Sequence, residues 1–310
     1  MASGHGWNRP SGGLQRERER ERVRAIQGGT FDQDLSCSDN PSRRGGTGNY
    51  IRPMMEGGSF DKAISGGNDL LRRGGSITRG GIFDQDIAAR VNMLESFYYI
   101  ADWQTRNLHR FKSFMLDSGA FTFVFGSKKQ VDLDDYIARY IDYINENDVD
   151  LFFEMDIDAI VGYEKVKEIR AYIEHKTGKQ TIPVFHYERG KDEWLRMCDE
   201  YDYVAIGGIA VAKGRKRLEP YIPWFTNEAH KRGTKVHGLG YTNLTNLPNT
   251  GFDSVDSSAW LYGNRGGYIY RWDGRKMQKV NTPKGKKLNS KAAARHNFME
   301  WVKMGEALEK

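Results

Sequence analysis

Two cysteines, Cys37 and Cys198, are all that 310 residues contain. Neither a disulfide framework nor a four-cysteine zinc site can be built from them, and no metal is expected. No stretch approaches the roughly 18 consecutive apolar residues that a membrane helix needs. Hydrophobic residues make up 38% and the mean hydropathy is -0.70, so a membrane-spanning helical bundle is excluded. The opening MASGHGWNRPSGG lacks the apolar core of a secretory signal, and a cytoplasmic location is expected. Large excess charge is also missing: 47 Lys and Arg against 41 Asp and Glu leave a net +6. That balance favours a polyanionic partner without requiring one.

Glycine is plentiful and unevenly spread, with 17 of the 35 before residue 93. A short phrase recurs there as GGTFDQD from Gly28, GGSFDKA from Gly57 and GGIFDQD from Gly80. Its irregular spacing argues against a solenoid. Phe31, Phe60 and Phe83 could anchor a partner, but the composition cannot bury a core and reads better as low complexity. The alternating charges of RERERERVR, from Arg16 to Arg24, nearly cancel and describe a solvated face. Residues 1–92 are therefore expected to form a disordered Gly/Arg-rich arm.

From about Leu94 short β-branched and aromatic runs alternate with amphipathic stretches, the pattern of a parallel α/β sheet. Strands are predicted at Leu94–Ile100, Phe114–Leu116, Leu151–Met155, Thr181–Phe185, Tyr203–Ile206, Thr234–Val236, Ser254–Val255 and Tyr268–Tyr270. Helices are predicted at Leu133–Asn147, Tyr163–Thr177, Asp192–Glu200 and Tyr221–Arg232, with an amphipathic stretch over Lys291–Lys310. Eight strands in about 215 residues predict a (β/α)8 TIM-type barrel over residues 93–310, the final helix docking on it.

Polar residues fall where such a barrel places its chemistry. Asp117, Asp156, His186, Gly207, Gly208, His237 and Asp256 each follow a predicted strand, at the face where barrel active sites assemble. Singly, each has a plain structural reading as a cap, a core histidine or a turn. The chain has no Walker loop, no GxGxxG after a first strand and no HExxH helix, and Ser118 lies in DSGAF rather than in a GxSxG elbow. Carboxylates remain as the reactive groups. Paired aspartates suit substitution at an anomeric carbon, one attacking C1′ while another shuttles the leaving group's proton.

Asp117-Ser118-Gly119-Ala120-Phe121 resembles the DSGxFQ signature of the tRNA-guanine transglycosylases, and Ala205 to Val211 resembles their AIGGLAVG segment. His237-Gly238-Leu239-Gly240 is similar to their MGVG turn, and Gly251 to Trp260 resembles the archaeal GxDxFDSAAY block. The four blocks share the family's order and span Leu94 to Tyr270. The short core most resembles the phage-type branch, the DNA 7-deazaguanine transglycosylases. The resemblance implies that Asp256 is the nucleophile, Asp117 the general acid/base and Asp156 the reader of the base edge. It further implies that Ser118, Gly119, His186, Gly207, Gly208 and Gly238 contact the base, and that Asp253 supports the loop carrying Asp256. Departures are His186 near the family's base-reading glutamine, Thr122 after DSGAF, and no cysteine after Cys198 for the family's zinc.

The implied activity exchanges guanine in DNA for a 7-deazaguanine base without a cofactor. Alternatives are tRNA as the nucleic acid, a retaining glycosidase, or a non-catalytic nucleic-acid-binding or virion-associated protein working through its arm. Lys213, Arg215, Lys216 and Arg217, with Lys284, Lys286, Lys287 and Lys291, are candidate phosphate contacts. Phe121, Phe123, Phe125, Tyr187, Tyr241 and Trp260 are candidate stacking partners for an extruded base.

Overall fold

A computed structural model describes residues 52–56, 88–120, 122, 132–210, 212–261, 267–283 and 288–309, with the side chains of 52–56, 212, 213, 290 and 291 left aside. Contacts divide the chain into Met1–Gly45 and Gly46–Lys310, and every described residue belongs to the second unit. The three GG-x-FD phrases, Cys37, Phe121, Phe123, Phe125, Lys284, Lys286 and Lys287 lie outside the described residues. Among the described residues no helix is long and apolar enough to cross a membrane.

The fold is mixed α/β. Seven parallel strands, β1 Arg52–Glu56, β2 Asn92–Ser96, β3 Ser113–Asp117, β4 Val184–Phe185, β5 Tyr203–Ile206, β6 Lys235–Gly238 and β7 Ser254–Ser257, lie in the order β3-β2-β1-β7-β6-β5-β4. Two isolated parallel bridges, Leu116 with Phe152 and Phe153 with Ile182, link the outer strand β3 to the segment that runs into β4.

Three segments differ from the sequence-based expectation, the first being Leu151–Met155, expected as a strand and holding only the bridging residues Phe152 and Phe153. β1 lies inside the segment read as an arm, yet it pairs with both β2 and β7. Pro53 near its start and the Gly57-Gly58 that follows hide it, because both residue types argue against a strand interior. Tyr268–Trp272, expected as the eighth parallel strand, is instead β8 of an antiparallel pair with β9, Met277–Asn281. Removing residues 1–45 is expected to leave a cooperative thermal transition, while removing 1–91 should abolish it by deleting β1. Circular dichroism melts of the two truncations check this, and a cooperatively folding 92–310 fragment would show that β1 is dispensable.

The helices follow the predicted pattern closely. α1, Leu133–Glu146, starts where Asp132 accepts the N–H groups of Asp134 and Asp135 at 3.0 and 3.2 Å, a side-chain N-cap. It buries Tyr136, Ile137, Tyr140, Ile141 and Ile144. The Tyr140 hydroxyl donates to the Phe153 carbonyl at 2.8 Å, so the tyrosine face packs the helix onto the sheet. α2 Tyr163–Thr177, α3 Gly190–Glu200, α4 Ala212–Leu218 and α5 Ile222–His230 follow. In α3 the wholly buried Trp194 meets Phe185 and Phe225 edge-on, and its indole N–H donates to the Phe225 carbonyl at 3.1 Å.

The final helix, α6 Ser290–Leu308, docks as expected, burying Phe298, Trp301, Val302 and Met304 with Trp260, Phe111 and Met93. Cys198 is buried in α3, and burial pushes its thiol up to about 12, which keeps it unreactive. A separate apolar layer joins Leu94, Met115, Phe153, Ile182, Val184 and Ala205 from successive strand segments.

Candidate active site

Asp117 ends β3 beside Ser96, its partner in register on β2. Its Oδ2 accepts the Gly119 N–H at 2.9 Å. The turn needs glycine at that position: φ is +75°, and a Cβ would lie 2.7 Å from the Tyr98 Cβ and 2.8 Å from the Tyr136 hydroxyl. Tyr136 also donates to the Ser118 carbonyl at 2.7 Å, tying the DSGA turn to α1. The Ser118 hydroxyl is fully buried and has no hydrogen-bond partner among the described residues. An orphaned buried hydroxyl beside a carboxyl group fits a place where a polar ligand or water completes the bonding.

Burial, with the charges of Asp256 and Asp156, pushes the Asp117 carboxyl up to about 6, against the lowering effect of the Gly119 and Ser96 hydrogen bonds. The charges of Asp256 and Asp156 thus reach Asp117 from two other segments far away in sequence. Like charges that share a site favour a proton on one of them.

Asp156 follows the Phe152–Phe153 bridging segment, and its Oδ1 lies 2.7 Å from Nε2 of His186, the residue after β4. Burial alone would raise the Asp156 carboxyl, but His186 and the Arg189 guanidinium outweigh it and hold it below its usual range. The same pairing raises His186 against its own burial. Arg189, unremarked in the sequence, reaches Asp158 Oδ2 at 2.9 Å and Asp156 Oδ1 at 4.0 Å, and lies 3.9 Å from the Tyr163 ring centroid.

Beneath them the buried Glu154 accepts the Val184 N–H at 2.8 Å and meets Arg170 at 3.2 Å. Burial pushes Glu154 up to about 7 despite its arginine neighbours. A glutamate within the apolar run Phe152-Phe153-Glu154-Met155 is the signal that could have exposed this cluster. Asp156, Asp158 and His186 bring ligand atoms within 4.8 Å of one another, so they could hold a cation, but Arg189 already supplies positive charge there.

Gly207 and Gly208 follow β5 under the His186 ring. A Cβ on Gly207 would lie 2.8 Å from both His186 Cε1 and Val184 Cγ1, so glycine here admits the imidazole. Gly207→Ala is expected to displace His186 and break its bond to Asp156. The check is the His186 titration followed by NMR, which should lose its upward shift, and an unmoved midpoint would show that the ring tolerates the methyl. Gly238 plays a packing part, since its Cβ would meet Phe252 Cε2 at 2.7 Å.

Asp256 is the third residue of β7 and is 3% exposed. Its Oδ1 accepts the Gly240 N–H at 2.6 Å and lies 3.1 Å from His237 Nε2. His237 sits within β6 rather than past its end, wholly buried and edge-on to Phe153 at 5.3 Å. A cavity of about 440 Å³ is lined by Asp256, Tyr241, Asn243, Tyr270 and Trp301 among others, and its described lining does not include Asp117 or Asp156.

Asp253 does not support the Asp256 loop. It precedes β7, where its Oδ2 lies 2.9 Å from His230 Nε2 of α5 and accepts the Val236 N–H at 2.7 Å. Three residues of strand place it about 10 Å from Asp256, toward the strand's entry end. Two candidate stacking residues have buried rings, although Tyr241 also lines that cavity. Tyr241 is buried and donates to Glu219 at 2.5 Å, and Trp260 is buried edge-on to Phe298. Tyr187 is nearly buried, with the Arg217 guanidinium 4.3 Å from its ring centroid.

No family model matches the chain, and no curated protein matches it. Among solved structures it is similar to nitroalkane oxidase from Streptomyces ansochromogenes at 12% identity, over 74% of this chain and 85% of that chain, with a TM-score of 0.32. A likeness that shallow carries no argument about chemistry.

Proposed function

We propose that this protein is a base-exchange transglycosylase that replaces guanine in DNA with a 7-deazaguanine base through a covalent aspartyl-glycosyl intermediate, on a (β/α)8 barrel. The observation that carries the reading is the placement of Asp117 and Asp256 toward the C-terminal ends of strands of one parallel sheet, where burial and the Asp256 charge hold the Asp117 carboxyl near 6. The barrel is supported by the parallel pairings, which continue through Phe152, Phe153 and Ile182 back to β4. It is supported further by the contact of Phe153 with His237, since their segments are not neighbours in that order. Both aspartates then stand toward the C-terminal ends of strands, the catalytic face of such barrels.

In the first step the Asp256 carboxylate bonds C1′ from the face opposite the base. The C1′–N9 bond breaks, and guanine leaves with a proton from Asp117. In the second step Asp117, now a carboxylate, takes the N9 proton of the incoming 7-deazaguanine, and that nitrogen displaces Asp256 from C1′. A carboxyl group held near 6 can give and take a proton near neutral pH, which these two steps demand of one residue. Asp156 faces the N1–H and 2-amino donors of the purine edge as an acceptor. Of the candidate phosphate contacts on α4, Arg215 and Lys216 take that role, while Arg217 lies on the Tyr187 ring and pairs with Glu188.

The test incubates full-length protein with guanine-labelled DNA and, separately, labelled tRNA, adds unlabelled 7-deazaguanine bases and follows released guanine. Release from DNA is expected. Release from tRNA alone would transfer the mechanism to the other nucleic acid, and release from neither would overturn the proposal. Release of free sugar without exchange would mark a glycosidase.

A further inference from the structure

Below Asp256 runs a buried polar chain that base exchange itself does not account for. His237 Nδ1 lies 2.5 Å from the Ser254 hydroxyl, which lies 2.5 Å from the Tyr203 hydroxyl. Ser254 and His237 are both fully buried, in a layer otherwise filled by Phe153, Val184 and Ala205. Polar groups in such a place are destabilising unless every donor and acceptor is matched.

The matching has one self-consistent direction for a neutral imidazole. A carboxylate only accepts, so the proton facing Asp256 belongs to His237 Nε2. Nδ1 is then an acceptor and takes the Ser254 O–H, and Ser254 Oγ accepts from Tyr203. The register explains the spacing. His237 pairs with Ser254 across β6 and β7, and Ser254 and Asp256, two apart on β7, face one side about 6.6 Å apart. The imidazole bridges them, one nitrogen to each.

Both donors to Asp256 fall on the same oxygen. Gly240 N and His237 Nε2 each bond Oδ1, and no described residue bonds Oδ2. We propose that His237, held in one tautomer by the hydroxyls of Ser254 and Tyr203, is a positioning residue that anchors Oδ1 of Asp256 and leaves Oδ2 as the oxygen that bonds the sugar. The anchoring stands on geometry alone, and the identity of the bonded partner rests on the transglycosylase reading. When the glycosyl bond to Oδ2 breaks, the returning negative charge spreads to Oδ1, where two N–H groups already point. Those donors therefore act on the carboxylate as leaving group as well as nucleophile.

The experiment uses the full chain with 13C-carboxyl aspartate and 15N-histidine, the Asp256 signal being assigned with Asp256→Asn. Asp117 and Asp156 titrate in the same spectra and are followed alongside. In the wild type, His237 is expected to show a protonated Nε2 and an accepting Nδ1; the opposite tautomer would overturn the proposal. At fixed pH, His237→Leu should displace the Asp256 13C-carboxyl chemical shift, and His237→Gln, whose amide N–H can reach the same oxygen, should bring it back toward the wild-type position. An Asp256 carboxyl signal unmoved in His237→Leu would overturn it as well.

In the exchange assay the leucine variant should lower kcat by about 10- to 100-fold with KM little changed, and the glutamine variant should recover most of the loss. If His237→Leu does not fold, Ser254→Ala and Tyr203→Phe carry the same readouts, with a mixed His237 tautomer expected in each and a wild-type tautomer in both counting against the chain. The two readings fail separately. No exchange on any nucleic acid together with an Asp256 carboxyl signal displaced in His237→Leu removes the transglycosylase reading and keeps the anchor, whereas exchange with an unmoved signal does the reverse.

Discussion

Asp256→Ala is expected to abolish both base exchange and the covalent protein–DNA adduct, lowering the rate by about 10⁴-fold or more, as removal of a nucleophile does. The substitution removes the acceptor of the Gly240 N–H and of His237 Nε2, so one half-buried and one buried donor lose a partner. A modest loss of stability should accompany the loss of rate, about 1–3 kcal/mol. The two effects separate with Asp256→Asn, whose carboxamide oxygen can still accept at the Oδ1 position while being a poor nucleophile. That variant should melt close to the wild type and form no adduct. Denaturing gel shift with guanine-containing DNA reads the adduct, and a band of wild-type intensity from Asp256→Ala would remove Asp256 from the mechanism.

Asp117→Asn should slow exchange by about 10²- to 10⁴-fold, the usual contribution of a positioned acid/base, while leaving the Asp256 adduct detectable at long times. The pH profile is the sharper readout. Asp117 gives its proton in the first half-reaction, and its carboxyl lies at about 6. Single-turnover adduct formation should therefore fall as pH rises through about 6, and the asparagine variant should lack that limb. A limb near 6 that persists in the variant would assign the proton to another group, Glu154 at about 7 being the nearest in range.

Stability should move in the same direction with pH. The Asp117 carboxyl is raised on folding from the ordinary 3.8, so the native state holds more protons between those values, and stability falls as pH rises through them. At pH 3.5, below both values, wild type and Asp117→Asn should be equally stable. At pH 8 the asparagine variant should be more stable, by about 1–3 kcal/mol. Glu154 is present in both proteins and its own contribution cancels. Urea melts at the two pH values check this. Equal stability at pH 8 would mean that Asp117 carries no charge burden, and with it no reason to hold a proton near neutrality.

Much of the scaffold could be read without coordinates. Helix α1 was legible because its tyrosines and isoleucines recur at helical spacing behind Asp132, and local hydrogen bonding and periodicity suffice to place such an element. The positions of Asp117, His186 and Gly207 at strand ends were legible for the same local reason, as an apolar run gives way to a polar residue or a glycine. β1 was not legible, because its few residues contain a proline and lie in glycine-rich sequence, and only pairing on both sides makes them a strand. β8 was misread as part of the parallel sheet because alternation marks a strand and is silent about its partner.

The carboxylates show the same division. Their number, their types and their order along the chain belong to the sequence, and so does the absence of any cysteine set or phosphate-cradling loop that would suggest other chemistry. What they do to one another belongs to tertiary structure. Asp117 rises because folding buries it and brings the charges of Asp256 and Asp156 to bear on it, and Asp156 falls because His186 and Arg189 converge on it. His237 reads in sequence as one histidine on an apolar strand, but the register of β6 against β7 sets it between Ser254 and Asp256. Hydrophobic spacing and chain stereochemistry act over a few residues and can be read from a string. Charge interaction and hydrogen bonding act over a few ångströms of space, and only the folded chain decides which residues share that space.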